Sequence, residues 1–144
     1  MIRTTREKSF EQEKRIASAI GGKMVIGSGS TPFLKGDVVV DNLLIEAKTR
    51  MEPCKTIQVK KAWLDTAKEQ ALATKKGNYA VAISFGERKD YFIIEDTYML
   101  DLYQSREALM AVIDMLGELD NASVEDLDNI TVSGIMQLIR RYIG

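Results

Sequence analysis

The chain has 144 residues, enough for one domain around a single core, and its 45% hydrophobic and 28% charged residues are the balance of a globular protein. Lys and Arg number 20 against 21 Asp and Glu, a net charge of −1, and the chain has no His and one cysteine, Cys54. That excludes an intramolecular disulfide, a cysteine metal cluster, Ser-His-Asp or Cys-His catalysis and the usual zinc enzymes, leaving carboxylates, lysine and an oxygen-liganded metal as sources of chemistry.

Phe10, Glu13, Ile16, Ala17 and Ile20 fall on one stripe at helical spacing, which predicts a helix over 5–20 stopped by Gly21-Gly22. Glu13 is the odd member, an acid among apolar residues, while Glu11 turns toward the solvated side with Lys14 and Arg15. Such an acid is ordinarily a boundary residue, and it gains interest only if the helix packs on other acids. Residues 23–26 read as a short strand. Residues 27–36 form a loop rich in Gly, Ser and Thr, with Pro32 enforcing an extended approach. Its hydroxyls and amides suit a plain turn or a phosphate contact equally.

A hairpin follows. Val38 to Val40 is β-branched, 43–47 is apolar apart from Glu46, and Asp41-Asn42 between them tolerates the positive φ of a tight turn. A two-residue turn sets Val40 against Leu43, Val39 against Leu44, Val38 against Ile45 and Asp37 against Glu46. Lys48 lies two residues past Glu46 and shares its face. Facing carboxylates destabilise a sheet. A divalent cation between them reverses that effect, and Lys48 would then hold a water or stabilise charge developing on phosphorus. An ordinary exposed hairpin with a solvated lysine is the other reading of the same residues.

Residues 51–55 are a linker containing Pro53. Thr56 is placed to cap a helix over 57–76, with Val59, Trp63, Ala67 and Ala71 toward the core and Lys60, Lys61, Lys68, Lys75 and Lys76 on the remainder. Trp63 reads as a core anchor in preference to a base-stacking platform. Gly77-Asn78 ends this helix. Residues 79–85 read as a strand buried on both faces, and 91–94 as an antiparallel partner nearer the edge. Ser105 is placed to cap a helix carrying Leu109, Val112, Ile113 and Leu116, stopped by Gly117. An acidic connector over 117–129 leads to a last helix from Thr131 or Ser133, with Ile135, Leu138, Ile139 and Tyr142 in line. These apolar stripes would pack on the sheet or build a dimer interface.

Charge is unevenly spread. Residues 47–76 carry eight Lys/Arg and three Asp/Glu, a balance of +5, whereas 95–130 carry ten acids and one base, Arg106, a balance of −9. The basic stretch follows the acids, where a phosphate backbone would need it; a solvated helix face also explains it. No apolar run approaches a membrane span and no signal-peptide pattern is visible, so the expectation is a cytoplasmic protein without membrane contact.

The order of acid-bearing helix, strand, Gly-Ser loop, Asp hairpin Glu-x-Lys, basic helix and apolar strand resembles the PD-(D/E)xK nuclease superfamily. Within it the chain is most similar to the archaeal Holliday junction resolvases and related small phage and prophage endonucleases. Glu13-Lys14-Arg15-Ile16-Ala17 resembles the acid motif of the first helix, and Gly27-Ser28-Gly29-Ser30 the Gly-Ser-Gly loop. Lys35-Gly36-Asp37-Val38 resembles the phage-type first metal motif, Leu44-Ile45-Glu46-Ala47-Lys48-Thr49 the second, and Val59-Lys60-Lys61 the start of the second helix. The likeness spans roughly residues 10–95. The Pro that nominally precedes the metal Asp is replaced here by Lys35-Gly36.

The resemblance implies an α/β, restriction-endonuclease-like core over 1–96, a mixed central sheet flanked by helices, with a helical extension over 97–144. It implies a metal-dependent DNA endonuclease using Mg2+ or Mn2+, in the first instance a four-way junction resolvase acting as a homodimer. The alternatives are another structure-specific or nicking endonuclease of the superfamily, or a DNA-binding module that keeps the fold without catalysis. Asp37 and Glu46 would be metal ligands, with the Ala47 carbonyl adding an oxygen. Lys48 would position the attacking water. Glu13 would complete the acidic cluster, unless Glu11 takes its place. Ser28 or Ser30 would contact phosphate near the scissile bond, and Lys35 would bind DNA. Lys61, with Arg50 and Lys60, would hold the backbone, and Gln70 is a further candidate.

Overall fold

Thr4 starts the first helix with a capping box: its hydroxyl accepts from the Glu7 amide at 3.2 Å while the Glu7 carboxylate accepts from the Thr4 amide at 2.7 Å. The computed structural model describes residues 4–25 and 36–120. The chain divides into two compact units, Met1–Glu95 and Asp96–Gly144.

The first unit is α/β. In order it comprises α1 (Thr5–Ile20), β1 (Lys23–Met24), β2 (Val38–Val40), β3 (Leu43–Thr49), α2 (Lys61–Ala73), β4 (Asn78–Ser84) and β5 (Tyr91–Ile93). The strands form one five-stranded mixed sheet in the order β1-β2-β3-β4-β5. β3 and β4 are parallel, joined through α2, and the other neighbours are antiparallel. β4 is buried on both faces, which is why it reads as a continuous apolar run. Ala80 and Ala82 pack with Ile16, Ala17, Val38 and Ile45 under α1. Val81 and Ile83 pack with Ala67 and Trp63 under α2. One helix therefore covers each face.

The hairpin register follows the sequence. Val40 pairs with Leu43, Val39 with Leu44 and Val38 with Ile45. Asp41 takes φ 42°, the positive value its turn requires. Asn42 then ties the turn to the far side of the sheet, accepting from Gly77 N at 2.5 Å through its side chain and from Asn78 N at 2.9 Å through its carbonyl.

Four expectations need correction. Phe10 is 54% exposed, and Gln12, at 1%, takes the buried place beside Ile16. The helix turns its 12–16–17 side to the sheet, and Gln12 is tolerated there because its amide finds acceptors. α2 starts at Lys61, not at 57, and Thr56 caps nothing; the N-cap is Lys60, extended at φ −94° and ψ 129°, without a side-chain bond. Ile57 and Val59 are β-branched and lower the helix propensity of the segment before α2. The helix also ends earlier than expected, since Lys75 at φ 57° leaves the helical region ahead of Gly77. Gly77 serves close approach instead, because a Cβ there would lie 2.4 Å from Asn42 Nδ2.

The second unit contributes α3 (Asp96–Asp120), which runs unbroken through Ser105 and Gly117. A lone glycine costs a helix about 1 kcal/mol relative to alanine, too little to end one of this length. The expected helix over 131–142, and the connector beyond residue 120, lie outside the described residues. Among the described residues no helix is long and apolar enough to cross a membrane.

Candidate active site at the open edge of β3

β3 outruns β2. Its ladder with β2 stops at Ile45, while pairing with β4 continues to Thr49. Among the described residues, the β2-side edge is thus without a ladder partner from Glu46 onward, and this is where the acids gather. The backbone is steered there by Gly36, whose φ of 78° and a Cβ position only 2.6 Å from Leu44 Cγ admit no side chain. Its amide donates to Gln70 Oε1 of α2 at 2.9 Å. Gln70 therefore anchors the approach to Asp37.

Asp37 does not stand directly across the ladder from Glu46, as the hairpin pattern predicts. Its amide donates to the Ile45 carbonyl at 3.0 Å, one residue out of step, and its Oδ2 accepts from Ala47 N at 2.7 Å. The carboxylate caps the open edge of β3. The strand simply ends too early to keep Asp37 in register. In an extended strand the N–H and C=O of one residue point to the same edge, so the Ala47 carbonyl faces this edge as well.

Side-chain alternation puts Ile45 and Ala47 toward α1, and Glu46 and Lys48 toward α2. α1 therefore covers the face opposite Glu46, and Glu13 meets the acids around the sheet edge. The electrostatics register the meeting. Burial first, then the charges of Asp37 and Glu46, push the Glu13 carboxyl up to about 7. Burial and the Glu46 charge also raise Asp37, against the lowering effects of the Ala47 amide and Lys48. Glu11 is exposed and acts on Arg15 instead, so Glu13 is the acid that belongs to this cluster.

Lys48 Nζ lies 2.6 Å from Glu46 Oε1 and 5.9 Å from the Trp63 ring centroid. Beside it opens a cleft of about 490 Å³ lined by Ser9, Ala47, Lys48, Thr49, Arg50, Ile57, Gln58, Lys60 and Trp63. Two of the three expected backbone-binding cations, Arg50 and Lys60, stand on its wall. The third, Lys61, is occupied by Asp65 at 2.7 Å in an exposed pair of one helical turn, worth a few tenths of a kcal/mol and readily exchanged. Ser28, Ser30 and Lys35 lie outside the described residues.

Sequence reasoning missed a polar clamp behind the site. Asp90 accepts from Arg15 Nε at 2.6 Å and Nη2 at 2.8 Å, and from Gln12 Nε2 at 3.0 Å. Gln12 also reaches the carbonyls of Ala82 at 3.4 Å and Lys48 at 3.5 Å, while its Oε1 is buried without a partner among the described residues. The clamp sets the rotation of α1 and so the reach of Glu13. Its one legible signal was Gln12, four residues before Ile16 on the same helical face.

Among the described residues, no three His, Cys, Asp or Glu side chains form a ready metal cage. Asp37, Glu46 and the Ala47 carbonyl nonetheless offer the hard oxygens that Mg2+ takes, and Mg2+ binds through one or two carboxylates with water and phosphate completing its shell. The upward shifts of Glu13 and Asp37 mark a place short of positive charge. The donors fit a hard cation at this pair, with Glu13 as an electrostatic neighbour. Compared with family models, with curated proteins and with solved structures, the chain matches none.

Proposed function

We propose that the chain is a metal-dependent DNA endonuclease of the PD-(D/E)xK type, with Mg2+ or Mn2+ as its cation and a four-way junction as its foremost substrate. One observation carries this reading: Glu13, Asp37 and Glu46 interact at an open strand edge, with Lys48 among them and a cation-lined cleft alongside. The element order and the parallel β3–α2–β4 crossover agree with it.

Asp37, Glu46 and the Ala47 carbonyl would hold the cation, which supplies positive charge to the phosphate and the leaving oxygen. Lys48 exchanges Glu46 for the phosphate or its attacking water. Without a cation, burial and the charges of Asp37 and Glu46 push the Glu13 carboxyl up to about 7; a cation held by those two acids would draw it back down and leave Glu13 a carboxylate beside the site. Arg50 and Lys60 neutralise backbone phosphates without reading sequence, so affinity falls steeply with salt.

Paired cuts on a symmetric junction call for two sites, and α3 offers a surface for a second copy. Met99, Leu102, Leu109, Ile113 and Leu116 follow a heptad seam interrupted only by Arg106, and all five are exposed.

The closed Glu46–Lys48 pair favours a second reading, a DNA-binding module that leaves its target intact. Labelled junctions, flaps, duplex and single strands, each with Mg2+ or Mn2+, separate the two. The enzyme cuts and Asp37→Ala binds without cutting. If wild type cuts none of them, the nuclease reading fails. Equal cutting of linear duplex removes only the junction preference.

A further inference from the structure

The cleft beside the acids has a mixed apolar and cationic lining. Its lining combines one aromatic ring, Trp63, and one aliphatic wall, Ile57, with the Gln58 amide, the Ser9 and Thr49 hydroxyls and the cations Lys48, Arg50 and Lys60. No acid lines it among the described residues. Apolar surface, one amide and several cations are what a base and its phosphates require together. The ring offers a π-face, the amide offers a donor and an acceptor to a base edge, and the cations meet phosphate.

We infer that this cleft holds one unpaired nucleotide of the DNA strand, its base against Trp63 and its flanking phosphates on Arg50 and Lys60. The inference rests on the nuclease reading for the identity of the strand, and it names the substrate class of that site. A base stacked within duplex cannot reach a ring in a concave wall, whereas one at a branch, gap or free end can. The volume of about 490 Å³ is enough for a nucleotide. Trp63 thus serves two parties. One side of it packs with the Ala67, Val81 and Ile83 cluster under α2, and the ring is half-buried with the cleft beside it. Lys48 sits over the ring while it is bonded to Glu46. If Lys48 turned to a phosphate, the ring would be uncovered, so occupying the cleft and freeing the site lysine go together.

The chain has a single tryptophan, so its fluorescence reports this cleft alone. Wild-type protein, in EDTA to prevent cutting, is titrated with a single-stranded oligonucleotide, a duplex with a one-nucleotide gap, a blunt duplex and a free mononucleotide. Anisotropy of the labelled DNA follows binding in parallel. The expected result is saturable quenching by the single strand and the gapped duplex, and binding of blunt duplex without quenching. Equal quenching by blunt duplex overturns the inference, as does single-strand binding with no change in emission. Quenching by the mononucleotide but not by the strand overturns it too. Trp63→Ala should weaken single-strand binding roughly tenfold and Trp63→Phe much less; should either fail to fold, the wild-type titration still decides. Adding Mg2+ separates the two proposals. A strand that quenches, with neither it nor any junction, flap or duplex cut, leaves the cleft standing and removes the nuclease. A strand that is cut without quenching does the reverse.

Discussion

Glu13 concentrates the electrostatics of the site in one group. Its carboxyl titrates near 7 in the folded chain because burial and two neighbouring acids disfavour its charge. The native state therefore holds this proton more tightly than the unfolded chain, whose carboxyl titrates near 4.5. Linkage then requires stability to fall as pH rises between those two values, with the cost fully present above the upper one. Asp37 is shifted in the same direction and adds to the slope. Glu13→Gln should flatten the decline across that window, measured as thermal midpoints from pH 4 to 8; an unchanged slope would remove Glu13 from the cluster. Gly36 is the second residue on which the site depends. Gly36→Ala forces a side chain into φ 78° and onto Leu44 and should cost roughly 2–3 kcal/mol in a denaturant titration, since strain and overlap add. Both residues were visible in the sequence, Glu13 as an acid on an apolar stripe and Gly36 before the Asp. The sequence could not say that Asp37 would cap a strand edge instead of facing Glu46, because that follows from where β2 stops.

At the scale of elements, α1, the hairpin and β4 were legible because each carries its own period or turn chemistry. α2 and α3 were misread at their ends. Thr56 had the right chemistry for a cap, but residues 56–60 stay outside the helix and 57, 58 and 60 line the cleft. Ser105 and Gly117 had the right chemistry for a cap and a stop, but neither carries enough energy to interrupt a continuous helix. Only the intact α3 brings its exposed seam into line over 99–116. Leu109→Glu with Ile113→Glu should convert a dimer into monomers in sedimentation, with helical content retained; a wild type already monomeric at tens of micromolar would dispose of the seam as an interface.

For the molecule as a whole, the site exists because distant segments are clamped together. Asp90, in the turn before β5, holds Arg15 and Gln12 of α1, and Gln70 of α2 holds Gly36. The Asp90 side chain is only 10% exposed, so its loss leaves Arg15 and Gln12 without their charged partner. Asp90→Ala should destabilise the chain by roughly 2–3 kcal/mol. It should also lower the Glu13 titration toward the ordinary carboxylate range, as α1 loosens and the carboxyl gains water. Thermal denaturation and the pH profile test the two parts separately, and a wild-type pH profile would show that α1 is set by packing alone.

The sequence by itself determined the strands and the first helix, the hairpin register from Val38 to Ile45, and the small set of groups able to do chemistry in a chain without histidine. Periodicity, turn residues and composition are local properties, and each is written within a few residues. Tertiary structure alone decided that β3 outruns β2, and that Asp37 turns to the resulting edge. It also decided that Glu13 reaches the acids around the sheet and that Trp63 borders a cleft while it packs in the core. These depend on which backbone groups remain unpaired once the sheet has formed, and no window of sequence contains that information.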